Sequence, residues 1–79
     1  MSKYEIMSYQ YLNNQPEFSD RMEALAVDYI AEQELNLDVD DLWNDATAEQ
    51  AYAQLELAQE NNSLFYVDEF FFWLVQNMI

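Results

Sequence analysis

Asp38, Asp40 and Glu49 stand at the first, third and twelfth positions of an EF-hand calcium loop, the first chemistry that the spacing suggests. The fifth position is Leu42, which offers no oxygen ligand. The sixth, where the sharp turn needs Gly, is Trp43, so these residues do not complete the loop. Paired carboxylates also carry out glycoside hydrolysis. Among sixteen Asp and Glu some pair always falls at a workable distance, and the pattern singles out none. His and Cys are absent, which removes Ser–His and Cys–His nucleophiles, imidazole metal sites and disulfides. Gly is absent as well, and with it any phosphate-cradling loop. The chain therefore reads as a non-enzyme without cofactor or metal, and a carboxylate-only enzyme is the weakest of the function classes it admits.

The elements that position these side chains follow from periodicity. Phe18, Met22, Leu25, Ala26, Tyr29 and Ile30 recur at spacings of three and four, which predicts a helix from an N-cap at Ser19 or Asp20 to about Glu34. Asp38 or Asp40 caps a short turn that carries Leu42 and Trp43 inward. Thr47-Ala-Glu-Gln50 has capping-box spacing and opens a further helix with Ala48, Ala51, Tyr52, Leu55 and Ala58 on one face. In SKYEIMSYQYL, Tyr4, Met7, Tyr11 and Leu12 fit a helical stripe behind Ser2, although Met7, Tyr9 and Tyr11 also alternate as a strand does. Pro16 marks a connection. Without Gly, the Asn residues at 13–14, 36, 44 and 61–62 serve as helix terminators. The expected architecture is all-α, one domain over residues 1–79, a compact bundle of three to four short helices. The alternative is α+β with an N-terminal strand. Five Phe, six Tyr and two Trp supply the core that 79 residues need without covalent staples.

The last segment, SLFYVDEFFFWLVQNMI, is apolar around most of a helix and should be buried. Asp68, Glu69 and Gln76 share one narrow stripe, and Phe65 and Phe72 fall on it too. Each ring taken singly reads as core. Taken with the acids, Phe72 becomes an aromatic anchor in a second patch of Asp68, Glu69, Phe72 and Gln76.

Charge is the strongest signal. Sixteen acids face only Lys3 and Arg21, a net charge of −14. ELNLDVDDLWND, residues 34–45, gathers Glu34, Asp38, Asp40, Asp41 and Asp45 with no base among them. Acids also stand four apart at Asp28/Glu32, Glu34/Asp38, Asp41/Asp45 and Glu56/Glu60, and none of these pairs is expected to have a Lys or Arg nearby to relieve the repulsion. Ordinary surfaces mix both signs. Nucleic acid and anionic membrane both repel such a chain, so neither is an expected partner. The longest apolar run, Phe70 to Val75, is too short to span a bilayer. The opening MSKYEIMSYQ has no uninterrupted apolar segment of a signal peptide, which makes the cytoplasm the expected location. The expected partner-binding residues are Glu34, Asp38, Asp40, Asp41 and Asp45, with Trp43 as the core anchor beneath them.

Carboxylates one helical turn apart approximate the roughly 6–7 Å spacing of phosphates along a nucleic-acid strand. In size, acidity and aromatic content the whole chain resembles the small acidic inhibitors made by phages and mobile elements. These are DNA-mimic proteins, including some anti-CRISPR and antirestriction proteins, and they share no common fold. The resemblance implies an inhibitor in the host cytoplasm that occupies the basic nucleic-acid-binding surface of a CRISPR effector or another nucleic-acid enzyme. The alternative is an acidic interaction module that neutralises a basic partner protein, as an antitoxin or immunity protein does.

Overall fold

The computed structural model describes residues 3–7, 10–11 and 15–78. Its elements run β1 (Glu5–Met7), α1 (Gln15–Glu32), α2 (Val39–Leu42), α3 (Asp45–Glu60), β2 (Leu64–Tyr66) and α4 (Val67–Met78). β1 and β2 pair antiparallel, with Ile6 opposite Phe65. The fold is thus α+β, and the expectation of an all-α bundle is corrected. The first segment is not a helix, and the last helix begins only at Val67.

The reason for the strand lies in which residues face inward. Tyr4 and Ile6 are buried while Met7 is exposed, so the buried set is the even one, opposite to the Met7, Tyr9, Tyr11 alternation. Ile6 and Phe65 pack beneath the sheet, and Glu5, Met7, Leu64 and Tyr66 occupy its outer face. Val67 N–H donates to the Tyr4 carbonyl at 2.8 Å, so the ladder runs directly into the first turn of α4. Two strands this short are unstable alone and depend on helices packed against them. α4 contacts β1, and α3 contacts β2. Ser2, Tyr9, Leu12 and Asn13–Asn14 lie outside the described residues.

α1 buries Phe18, Met22, Leu25, Ala26 and Tyr29 as the periodicity requires. It starts a turn earlier than Ser19 or Asp20, and Pro16 sits in its first turn rather than in a connection. Proline is tolerated there because that N–H has no intrahelical partner. α1 packs on α2 and α4, and the aromatic residues knit the elements together. The Phe18 ring meets those of Tyr11, Trp43, Tyr52 and Phe65 at centroid distances of 5.6, 6.2, 5.4 and 6.0 Å. Trp43 is buried as expected, and its indole N–H donates to Ser19 Oγ at 3.2 Å.

Helix ends are set partly by residues other than those expected. Asn44 starts α3 instead of ending a helix: its side chain accepts from Thr47 N–H at 3.0 Å, and its own N–H donates to Thr47 Oγ1 at 2.9 Å. The capping box thus lies one turn before the Thr47–Gln50 frame. Asn62 does terminate α3, in the left-handed conformation with φ 52°, and Ser63 N–H closes on the Ala58 carbonyl.

α1 ends the same way, but the left-handed residue is Glu34, φ 53°, and Asn36 is only part of the following loop. Glu34 N–H reaches Ala31 O, and Leu35 N–H reaches Ile30 O, which together make a Schellman motif. A side chain with a Cβ is penalised in that conformation by roughly 1–2 kcal/mol. Glu34→Gly is expected to raise stability by about 1 kcal/mol, offset in part by the extra freedom of Gly in the unfolded chain. Urea unfolding measures it, and an unchanged or lowered midpoint contradicts the account.

Candidate functional site

Glu34, Asp38, Asp40, Asp41 and Asp45 are all exposed, strung from the end of α1 through α2 to the start of α3. Two of them also serve the local fold. Asp38 is the N-cap residue of α2, and its N–H donates to the Asp41 carboxylate at 3.0 Å. Asn44 Nδ2 donates to the Asp40 carbonyl at 2.6 Å, so the Asp40 side chain itself carries no part of the turn. The segment forms an exposed acidic rim with Leu42 and Trp43 buried beneath it.

Concavity lies elsewhere, on either side of α4. That helix buries Val67, Phe70, Phe71 and Leu74. At about 100° per residue it cannot also bury their neighbours. Phe72 is 58% exposed and Trp73 51% exposed, contrary to the expectation that the apolar remainder of this segment is buried. Phe65, by contrast, is core. The two rings that share a stripe in sequence therefore separate, because Phe65 belongs to β2 and Phe72 to the helix.

On one side of α4, an open groove of about 680 Å³ runs between α3, β2 and α4. Leu57 on α3, Tyr66 on β2 and Trp73 on α4 line it with large exposed apolar surface, and Glu69 stands at its edge. Gln50, Ala53 and Gln54 continue the α3 wall. On the other side, a hollow of about 530 Å³ is lined by Tyr4, Tyr29, Gln33, Asp68, Glu69 and Phe72. The fold thus gathers Asp68, Glu69 and Phe72 from the second sequence patch into one hollow, while Gln76 is exposed farther along α4 and lines neither concavity. Sequence reasoning missed Trp73, Leu57, Tyr66, Tyr4 and Tyr29. The available signal was the unbroken run Phe70–Val75, too long for one buried helix face.

Both cations are engaged away from the acidic rim. Lys3 Nζ pairs with Glu32 at 2.6 Å and Asp28 at 3.3 Å, which corrects the expectation that no base relieves the like-charged pairs: the fold brings Lys3 to Asp28 and Glu32 from far away in sequence. Arg21 donates to the Lys3 carbonyl at 3.5 Å. Tyr4 Oη donates to the Glu32 carboxylate at 2.6 Å, and Lys3 Nζ lies 5.4 Å from the Tyr4 ring centroid. Hydrogen bonds from Lys3 and then Tyr4 hold the Glu32 carboxyl below its ordinary value, and the Glu32 bond raises Lys3. Burial, followed by the Glu32 hydrogen bond, pushes the Tyr4 phenol up. Burial also raises Tyr29, with a further contribution from the Asp68 charge.

A carboxyl lowered on folding stabilises the native state above its unfolded pKa, and the contribution is lost as pH falls through the native one. Glu32→Gln is therefore expected to destabilise the domain near neutral pH and to match wild type well below the ordinary carboxylate range. Urea midpoints across the acid limb check this, and a pH-independent difference between the two proteins contradicts it.

No protein-family model matches the chain, and no curated protein or solved structure matches it. Among the described residues no helix is long and apolar enough to cross a membrane.

Proposed function

We propose that the chain is an acidic protein-binding module of the cytoplasm that holds a basic protein partner on the face built by α3, β2 and α4. The observation that carries this reading is the exposure of Trp73, with Leu57 and Tyr66 beside it in the groove, on a body of net charge −14. Buried aromatic anchors dominate protein–protein binding energy, and a polar rim excludes water around them. Surfaces that receive nucleic acid are polar, basic and wet, so a surrogate for phosphates gains little from half-exposed indole and phenyl rings. Self-association through the same face is opposed by the repulsion of two such charges. A partner with basic residues around an apolar segment complements both features.

The residues of the 34–45 rim then act at a distance. They supply much of the field that draws the partner in, whereas the α4 face sets how long it stays. Asp40 and Asp45 test this cleanly, since their carboxylates do not hold the α2 turn. Reversing both to Lys is expected to slow association several-fold at low salt with little change in dissociation. An unchanged association rate at low ionic strength contradicts steering by this rim.

The reading itself is tested by capture from a lysate of the source cells, with wild type and Trp73→Ala run in parallel and duplex DNA added as competitor. The expected result is a basic protein retained by wild type, lost on Trp73→Ala and not displaced by DNA. Retention that ignores Trp73→Ala and yields to DNA instead identifies an occupant of a nucleic-acid groove.

A further inference from the structure

The hollow beside the first turn of α4 has walls of a particular kind. Tyr4, Tyr29 and Phe72 provide rings, and Asp68 and Glu69 provide two adjacent carboxylates. Tyr29 is only 7% exposed, yet its hydroxyl forms no hydrogen bond among the described residues. Among the described residues no fully enclosed side-chain polar atom lacks a partner, so this hydroxyl is not sealed in, and Tyr29 is one of the residues that line the hollow. Burial is what chiefly raises both tyrosine phenols, and the Asp68 charge adds a smaller push to each, which fits a carboxylate standing near both rings. Asp68 Oδ1 accepts the Glu69 N–H at 2.9 Å, and its second oxygen is left for another donor.

We infer that this hollow receives the guanidinium of an arginine side chain from the partner protein, with the exposed Phe72 ring against its face, the tyrosines forming the floor, and Asp68, Glu69 and the Tyr29 hydroxyl accepting its N–H groups. A cation is attracted to ring faces, and a planar guanidinium can stack on a ring while its edge donates to carboxylates. A lysine ammonium gains the charge contact but not the stacking, and it gives up more hydration. Lys3 beside the Tyr4 ring is the intramolecular counterpart, a cation already placed 5.4 Å from one of these aromatics. A metal ion fits the hollow poorly, because no three acids converge as metal ligands among the described residues.

The inference rests on the reading of α4 as a partner-binding face, but its test needs no partner. The probe is blocked arginine, N-acetyl-arginine amide, titrated by NMR at constant ionic strength against N-acetyl-lysine amide and free arginine. Saturable shifts in the millimolar range are expected at the Asp68 and Glu69 amides and the Tyr29 and Phe72 rings. Blocked arginine should bind more tightly than blocked lysine and at least as tightly as free arginine, whose own carboxylate is repelled here. Phe72→Ala and Asp68→Asn should each weaken binding by about tenfold or more, and Tyr29→Phe several-fold. Glu23→Gln, which removes an exposed charge from α1, should leave it unchanged. Shifts that do not saturate, that spread over all acidic faces, or that are equal for lysine and arginine overturn the inference. Tighter binding of free arginine does so as well, by making the hollow a small-molecule site. Loss of probe binding alongside Trp73-dependent capture of a basic protein removes the pocket and leaves the module. Probe binding that passes every arm, with no Trp73-dependent capture, keeps the pocket and removes the α4 face as a partner surface.

Discussion

Phe18→Ala is expected to cost about 3–5 kcal/mol, the largest single-residue loss of stability in this domain. Phe18 is 0% exposed and contacts four other rings: Tyr11, Trp43, Tyr52 and Phe65. Those partners come from β2, α3 and the two connections, so a void at this point loosens most of the interfaces at once. A domain typically has only about 5–15 kcal/mol in total, and one of this length sits near the lower end. Loss of a cooperative urea transition at room temperature is the extreme outcome. Trp43→Ala should cost a similar amount, whereas Trp43→Phe keeps most of the packing and forfeits chiefly the hydrogen bond to Ser19, about 1 kcal/mol. A Phe18→Ala loss under about 1 kcal/mol would show that the cluster relaxes around the gap and is not the keystone of the packing.

Trp73→Ala is expected to do the reverse. The indole is half-exposed, and the hydrogen bond at this residue, from Asn77 Nδ2 to the Trp73 carbonyl at 2.7 Å, involves only its backbone. Stability should therefore stay within about 0.5 kcal/mol of wild type. Partner affinity should fall by roughly 30-fold to 1,000-fold, the range of an aromatic hot spot removed from the centre of an interface. The loss should appear mainly as faster dissociation. The two measurements separate a contact residue from a core residue: a large drop in unfolding midpoint assigns Trp73 to packing, and unchanged affinity removes it from the interface.

Some of this organisation is legible in the residues and some is not. α1 is, because Phe18, Met22, Leu25, Ala26 and Tyr29 repeat the same spacing over three turns and no other periodicity competes. The inward turn of Leu42 and Trp43 is legible too, from two apolar residues flanked by acids and a capping Asp. The strand Glu5–Met7 is not. Three residues carry barely more than one period of alternation, and Tyr4, Met7 and Tyr11 happen to satisfy a helix. What decides for a strand is a partner nearly the whole chain away. The junction Tyr66–Val67 is hidden for the same reason, since only the ladder to β1 stops α4 from beginning earlier. The site follows this division. Asp68, Glu69 and Phe72 could be grouped by helical angle, but Tyr4 and Tyr29 join them only through the tertiary fold. Hydropathy points the wrong way for Trp73, because it registers how apolar the helix is and not how many of its sides have neighbours.

The pairing of Ile6 with Phe65 also governs the order in which the domain becomes complete. During synthesis the N-terminal strand leaves the ribosome early and can find no edge to join until residues beyond Tyr66 have also emerged. α1 and α3 can form from local contacts in the meantime, but β1 waits. Closing so long a loop carries an entropic cost that is repaid only when α4 docks with the sheet. The rings and carboxylates around the first turn of α4 are therefore all in place only once β1 has paired with β2, because Tyr4 reaches the hollow through that pairing.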